Sequence, residues 1–450
     1  MPTSTSTKRS KSASWPVEEA RRLTGNDDAD GPRALLVGCR VRSEDRDIVA
    51  ESLTELARLV DTAGAIEVGC VKCEVKRPVP ATFVGRGAID RIAKQLAELD
   101  VPVRCVVFDV DLTATQQRNL ESRLEVMVID RTGIILDIFA KRAQTREGKL
   151  QVELAQYQYL LPRLRGLWTH LSRQGAGIGT RGPGETDLEI DRRRIRQRIA
   201  GLKKKLEKVR MTRELHRSER RKSQVQTVAL VGYTNAGKST LLNACTDADV
   251  LIEDRLFATL DPTAREIALP GNVKAVMVDT VGFIQRLPHQ LVESFKATLE
   301  EVTLADLIVH VVDASHPRME QQVGAVAEVL HEIGATDQAM VYVFNKADLV
   351  IQKPWLDRLV AAHQPAVAVS ARDGSNLDDF RNQLALTLGR HRRRAVFRVP
   401  LARPDVLHIL RTRAEVIADD IDGQHVVLTL RIGERLAGRW REFRIEENGS

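Results

Sequence analysis

Residues 227–245 read TVALVGYTNAGKSTLLNAC, and this stretch decides the fold of the largest part of the chain. Thr227 to Val231 is an apolar run suited to a buried strand, and a helical stretch follows through TLLNAC, residues 240–245. Between them, Gly232 to Ser239 is G-x-x-x-x-G-K-S. A strand, a glycine-framed loop and a helix in that order form a phosphate cradle. The backbone of Gly232, Tyr233, Thr234, Asn235, Ala236 and Gly237, with the helix start at Lys238, Ser239 and Thr240, offers N–H groups to the α- and β-phosphates. Lys238 reaches the β- and γ-oxygens, and the Ser239 hydroxyl is placed to bind Mg²⁺.

Working outward, further strand-like runs alternate with helical stretches up to residue 390: KAVMVDT, DLIVHVVDA, AMVYVFN and AVAVSA. The pattern predicts a parallel sheet with helices on both faces over 224–390. Chemistry-bearing residues fall at the strand ends. Asp279, followed by Thr280, Val281 and Gly282, brings a carboxylate and then a backbone N–H to Mg²⁺ and the γ-phosphate. Asn345, Lys346 and Asp348 supply what guanine needs: an Asp that accepts from N1–H and N2–H₂, which adenine lacks, a Lys stem that lies over the base, and an Asn that ties strands together. Ser370 and Ala371 follow at the next strand end, where a backbone N–H can meet guanine O6. GTP or GDP with Mg²⁺ is therefore the expected ligand.

Ahead of this domain, residues 135–223 carry two heptad stripes. Leu150, Leu154, Tyr157, Leu161 and Leu164 form one; Ile195, Ile199, Leu202, Leu206 and Val209, with Leu188 a heptad earlier, form the other. They predict an antiparallel, coiled-coil-like helical hairpin. Its tip loop, placed at 165–187, holds Gly175, Gly177, Gly179, Gly182 and Gly184 with Arg165, His170, Arg173 and Arg181, and Thr186 to Glu189 reads as a capping box opening the second helix. Between Arg192 and Lys222 stand fifteen Lys or Arg and three acids, so this one element holds an excess of 12 positive charges in a chain of net charge +7. Such a patch fits a polyanion, nucleic acid before membrane, because no apolar face rich in Trp and Phe accompanies it.

Residues 32–134 alternate strands and helices as a separate N-terminal α/β domain, and 391–450 read as a basic spacer with a small α+β domain. The FVGRGAIDR turn (83–91) is as readily a helix-initiating turn as a phosphate loop. Residues 1–31 read as a disordered tail. Cys70 and Cys73 lie in a strand pattern that aims them at opposite faces, against a shared metal. No run of about 18 apolar residues occurs, so no membrane span is expected. The composition, 43% hydrophobic and 29% charged, suits a multidomain globular protein, expected to be cytoplasmic and monomeric.

With GYTNAGKS, DTVGF, NKAD and VSA in hand, the sequence resembles the translation-factor-related GTPases. Within them it resembles the HflX family, through LVDTAGA (59–65), QQRNLE (116–121), QVELAQYQYLLPRL (151–164), GIGTRGPGETDLE (177–189) and FATLDPT (257–263). GAGIG stands where that family usually has GGGIG. The resemblance covers about residues 35–390 and implies a Mg²⁺-binding switch threonine at Thr259, with Thr263 the alternative. Lys238, Thr259 and Gly282 become the candidate catalytic groups, and Ser239, Thr259 and Asp279 the Mg²⁺ set, Asp279 directly or through water. Phe283 occupies the position where Ras-like enzymes keep a water-orienting Gln, which predicts slow intrinsic hydrolysis completed by a partner. Asn235 is the residue that, in related GTPases, accompanies a K⁺ ion beside the phosphates.

The family likeness implies an enzyme that binds the large ribosomal subunit and its rRNA. It splits stalled or idle ribosomes under heat or antibiotic stress, with subunit-stimulated GTP hydrolysis as the release signal. The alternative reading is an RNA-binding or remodelling protein whose activity GTP regulates, with ATP also used.

Overall fold

A computed structural model of the chain describes residues 31–41, 46–174, 185–223, 225–246, 256–257, 259–271, 273–284, 299–336, 338–389 and 392–445. The expected tail at 1–31 lies outside them except for Gly31, as do the tip-loop residues 175–184. Two compact units emerge, and the main chain passes from one to the other at Glu207 and Lys208.

In the first unit, β1 (Arg33–Val41), β2 (Ile66–Val75), β3 (Cys105–Phe108) and β4 (Met127–Asp130) form a parallel sheet in the order β2-β1-β3-β4. Helices α1 (Arg46–Thr62), α2 (Arg86–Glu98), α3 (Ala114–Leu124) and α4 (Arg131–Arg142) connect or follow the strands. Leu35, Val37, Val106, Phe108 and Val128 from the strands bury against Ile89, Ile92 and Leu120 from the helices. A reciprocal cap starts α3: Thr113 Oγ1 accepts from the Gln116 N–H at 3.2 Å, and Gln116 Oε1 accepts from the Thr113 N–H at 2.9 Å. Cys73 is buried and Cys70 exposed, on opposite faces of β2.

The expected boundary at 134/135 falls inside α4, whose Ile134, Ile135, Leu136, Ile138 and Phe139 are buried with the sheet domain. The hairpin helices are α5 (Arg146–Gln174) and α6 (Glu185–Ser223), so helix extends into both sides of the region read as loop. The reason is local: RGLWTHLSRQ (165–174) has a single glycine and no proline to stop a helix. Across the pair, Arg198 donates to Glu153 Oε1 from Nε at 2.9 Å and from Nη2 at 2.6 Å, while Leu154, Leu164 and Leu202 are buried. Helix α5 also has a second buried side, through Gln151, Val152, Ala155 and Tyr159, and it packs on α3 and α4.

The second unit holds a six-stranded sheet in the order β10-β9-β8-β5-β7-β6. Its strands are β5 (Gln226–Gly232), β6 (Thr263–Leu269), β7 (Val273–Asp279), β8 (Leu307–Asp313), β9 (Ala339–Asn345) and β10 (Ala366–Ala368). Five run parallel, as the apolar strand runs require, but β6 is antiparallel to β7, an edge strand that the sequence pattern did not reveal. Helices α7 (Lys238–Cys245), α8 (Met319–Glu332), α9 (Lys353–Ala362) and α10 (Leu377–Gly389) complete it. Leu230, Leu241, Met277, Val309, Val343 and Phe380 lie in its core.

The C-terminal part is an antiparallel sheet, β12-β13-β11-β14, with helices α11 (Pro404–Arg413) and α12 (Glu434–Arg439). Its strands are β11 (Arg392–Pro400), β12 (Glu415–Asp422), β13 (His425–Gly433) and β14 (Arg444–Ile445). Among the described residues no helix is long and apolar enough to cross a membrane.

Candidate nucleotide site

The turn from β5 into α7 is held by its neighbours. Gly237 adopts φ 93°, and a Cβ there would lie 2.2 Å from Asn345 Nδ2, so only glycine lets the loop reach the end of β9. Asn235 also has positive φ, 61°, a conformation that asparagine tolerates better than most residues. Inside the loop, the Lys238 ammonium donates to Gly232 O at 3.1 Å and to Tyr233 O at 2.9 Å. Burial lowers the Lys238 pKa to about 8, opposed by the nearby Asp279 carboxylate.

Three side chains expected to share a metal come together. Ser239 Oγ donates to Asp279 Oδ2 at 2.6 Å, Thr259 Oγ1 donates to the same oxygen at 2.9 Å, and the two hydroxyls are 2.8 Å apart. Thr263, the alternative switch residue, instead starts β6 in register with Asp279. Burial pushes the Asp279 carboxyl up, while Lys238, Ser239 and Thr259 pull it down. Its Oδ1 is buried with no hydrogen-bond partner, as is Thr234 Oγ1. Two hydroxyls, a buried carboxylate and an unsatisfied oxygen are a hard-oxygen donor set that fits Mg²⁺.

The loop after β7 is pinned to the phosphate loop. Thr234 N–H donates to Phe283 O at 2.7 Å and Phe283 N–H to Gly232 O at 3.1 Å. The Phe283 ring is buried in the protein interior, so the aromatic side chain acts as an anchor for this loop. Gly282 lies against Thr234 and Lys238.

At the other end of the site, Asn345 spans three elements: Nδ2 donates to Ala236 O at 2.8 Å, and Oδ1 accepts from the Ala371 N–H at 3.0 Å. Ser370 and Ala371 are buried just beyond β10, and Asp348 is exposed in a single 3₁₀ turn over Ala347–Leu349. Lys346, at φ 60°, starts that turn, and its ammonium meets Asp313 Oδ2 at 2.6 Å. Asp313 did not stand out in the sequence, although it ends the strand run DLIVHVVDA one position before Ala314.

A parallel sheet that gathers a phosphate loop, a Ser–Thr–Asp cluster and an Asn-Lys-x-Asp turn at its carboxyl ends defines a P-loop GTPase. Comparison with known proteins narrows the class. Three family models match: a GTP-binding GTPase N-terminal region over residues 50–140, a GTP-binding GTPase middle region over 142–220, and a 50S ribosome-binding GTPase over 227–346. A GTPase HflX of Caldanaerobacter subterraneus is 43% identical over 92% of this chain and 94% of its own. The GTPase HflX of Escherichia coli is 47% identical over 77% of this chain and 80% of its own. A solved GTP-binding protein of Sulfolobus solfataricus in complex with GDP is similar over 80% of this chain and 99% of that one, with 23% identity and TM-score 0.42. The chain belongs to the HflX family of GTPases, and its reaction is hydrolysis of GTP.

Proposed function

We propose that this GTPase binds the large ribosomal subunit through rRNA and splits stalled or idle ribosomes under stress, hydrolysing GTP to leave. The observation that carries this reading is the exposed basic side of α6. Arg193, Arg194, Arg196, Lys203, Lys204, Lys205 and Lys208 all face solvent, in a chain whose GTPase segment matches a family described as 50S ribosome-binding. A polyanion would release counterions on binding such a face.

In this reading the loop from Gly232 to Gly237, with Thr240 behind it, cradles the phosphates. Ser239, Thr259 and Asp279 would hold Mg²⁺, which neutralises charge on the β- and γ-oxygens when bound. Lys238 compensates phosphate charge, and the Gly282 N–H senses the γ-phosphate. Asp348, Lys346, Asn345, Ser370 and Ala371 select guanine. Thr259, which already meets Ser239 and Asp279, would complete the Mg²⁺ set when γ-phosphate is present, so the GTP state is the one that grips the subunit, and binding supplies the free energy of splitting. Phe283 leaves the water-orienting role to the subunit, and a K⁺ held beside Asn235 would add positive charge at the phosphates in place of an arginine finger.

GTP turnover measured in K⁺ and in Na⁺, with and without isolated large subunits, tests this directly. Strong subunit stimulation is expected. An unchanged rate at low salt would remove the subunit as activator and favour GTP-regulated RNA binding.

A further inference from the structure

We infer that Asp313, with Ser315 behind it, is a positioning pair for the nucleobase site: it holds the Lys346 ammonium so that the lysine stem forms one wall of the base site. The inference rests on the guanine-site reading above and goes beyond it, because Asp313 lies outside the Asn-Lys-x-Asp turn and its carboxylate meets that turn at Lys346.

Four observations converge. Asp313 and Asn345 are register partners at the ends of β8 and β9, and Ala314 N–H donates to Asn345 O at 2.9 Å, so the carboxylate is fixed relative to the turn. Asp313 Oδ1 accepts from Ser315 Oγ at 2.6 Å and from Ser315 N–H at 3.0 Å, which leaves Oδ2 aimed at Lys346. The ion pair is short, 2.6 Å, and only partly exposed, with side-chain accessibilities of 26% for Lys346 and 14% for Asp313. Lys346 is itself in a left-handed conformation, φ 60°, so its side chain leaves the backbone in a direction set by the turn at one end and Asp313 at the other. A lysine stem has four rotatable bonds, and anchoring its charged end removes most of that freedom before a base arrives. Preorganisation of this kind strengthens binding without adding a contact.

The geometry also says how the effect differs from that of Asp348. A stem lying on the face of a purine senses the ring and not its edge substituents. Asp348 reads the N1–H and the 2-amino group. Loss of Asp313 should therefore weaken GDP and IDP, which lacks the 2-amino group, by the same factor.

The test is a double-mutant cycle on the full-length protein, with affinities for GDP, IDP and ADP measured by displacement of a fluorescent guanine nucleotide. Asp313→Asn keeps the shape and an oxygen for Ser315 but removes the charge; it should weaken GDP and IDP alike, by about fivefold. Added to Lys346→Ala, it should change affinity less than about twofold. Ser315→Ala, which leaves the carboxylate in place but unsteadied, should give a smaller loss with the same GDP-to-IDP ratio. Full additivity in the double variant, or an unchanged affinity in Asp313→Asn and Ser315→Ala, would overturn the coupling. A collapse of the GDP-to-IDP ratio would overturn it too, by moving the effect to Asp348. If the unmodified protein binds ADP as well as GDP, the guanine-site reading fails, and that failure is distinguishable because it appears before any substitution is made.

Discussion

Gly282 leaves no room for a side chain. A Cβ at that position would sit 2.8 Å from Thr234 Cγ2, 2.9 Å from Thr234 Cα and 3.1 Å from Lys238 Nζ. The Thr234 main chain cannot rotate out of the way as a side chain could, so Gly282→Ala must push the loop off the phosphate side. Because small displacements near reacting atoms cost rate steeply, single-turnover GTP hydrolysis should fall by at least about tenfold. GDP affinity, which has no γ-phosphate to sense, should stay near that of the unmodified protein, and a parallel GDP titration checks this. Lys238 makes a second prediction. With the nucleotide-free pKa lowered to about 8 and a bound phosphate favouring the ammonium, nucleotide binding takes up a proton at alkaline pH. The GDP dissociation constant should be flat well below that value and rise above it, by up to roughly tenfold per pH unit. Calorimetry in two buffers of different ionisation enthalpy reads the proton uptake; a constant affinity across this range would exclude Lys238 as the titrating group.

Helix α5 shows what an element adds to its residues. Asp130, at the end of β4, is fully buried and caps α4 by accepting from the Gly133 N–H at 2.8 Å. It also accepts from Tyr159 Oη at 2.7 Å and from Arg163 Nη2 at 3.0 Å, both on α5. Arg163 further donates to Gln117 Oε1 at 2.8 Å and to Leu112 O at 2.6 Å, and its guanidinium stacks 3.6 Å from the Tyr159 ring centroid. One arginine thus ties the hairpin base to the carboxyl ends of the N-terminal sheet. Arg163→Met leaves the Asp130 charge buried with less compensation, and should cost about 3 kcal/mol or more in this unit. Burial already holds the Asp130 carboxyl above the usual range, and Arg163 pulls it down. A folded-state pKa above the unfolded one means the folded unit binds the proton first, so the variant should regain part of its stability as pH falls. Hydrogen exchange of the β3 and β4 amides at neutral and mildly acidic pH measures both effects. The heptad stripe of α5 was legible in the sequence, since Leu154 and Leu164 recur at helical spacing. The opposite side was not, because its key members are Gln151, Tyr159 and Arg163, whose burial depends on partners far away in sequence. The same holds for β6, TAREIAL, where Arg265 and Glu266 mask a half-exposed edge strand, and for DVLHILRTRAEVIAD, where a helix ends at Arg413 and a strand begins at Glu415 without a Gly or Pro between them. The Gly232–Ser239 loop and the Asn-Lys-x-Asp turn were readable as strand-end turns because each is one contiguous stretch of sequence. Asp313 was not, because its meaning depends on register between β8 and β9.

On the scale of the whole molecule, charge is distributed by task. The nucleotide site pairs Lys238 with Asp279 and Lys346 with Asp313. The surplus sits on α6, where fifteen cations face three acids between Arg192 and Lys222. Among the described side chains, Arg198 is held by Glu153 and Arg194 by Asp191, while Lys203, Lys204 and Lys205 stand exposed in a row. If α6 meets rRNA, binding must weaken with salt in proportion to the phosphates it neutralises. Replacing Lys203, Lys204 and Lys205 together by Gln removes three candidate phosphate contacts without touching the GTPase fold. Glutamine retains helix propensity, so α6 should persist. The slope of log affinity for large subunits against log salt should become shallower by roughly 2 to 3. GDP affinity and unstimulated turnover should not change, whereas subunit-stimulated turnover at moderate salt should fall. A variant with the original salt slope would take these lysines out of the interface. Normal stimulation despite a shallower slope would mean that α6 recruits the subunit but does not deliver the activating contact, leaving that contact to be sought near Phe283.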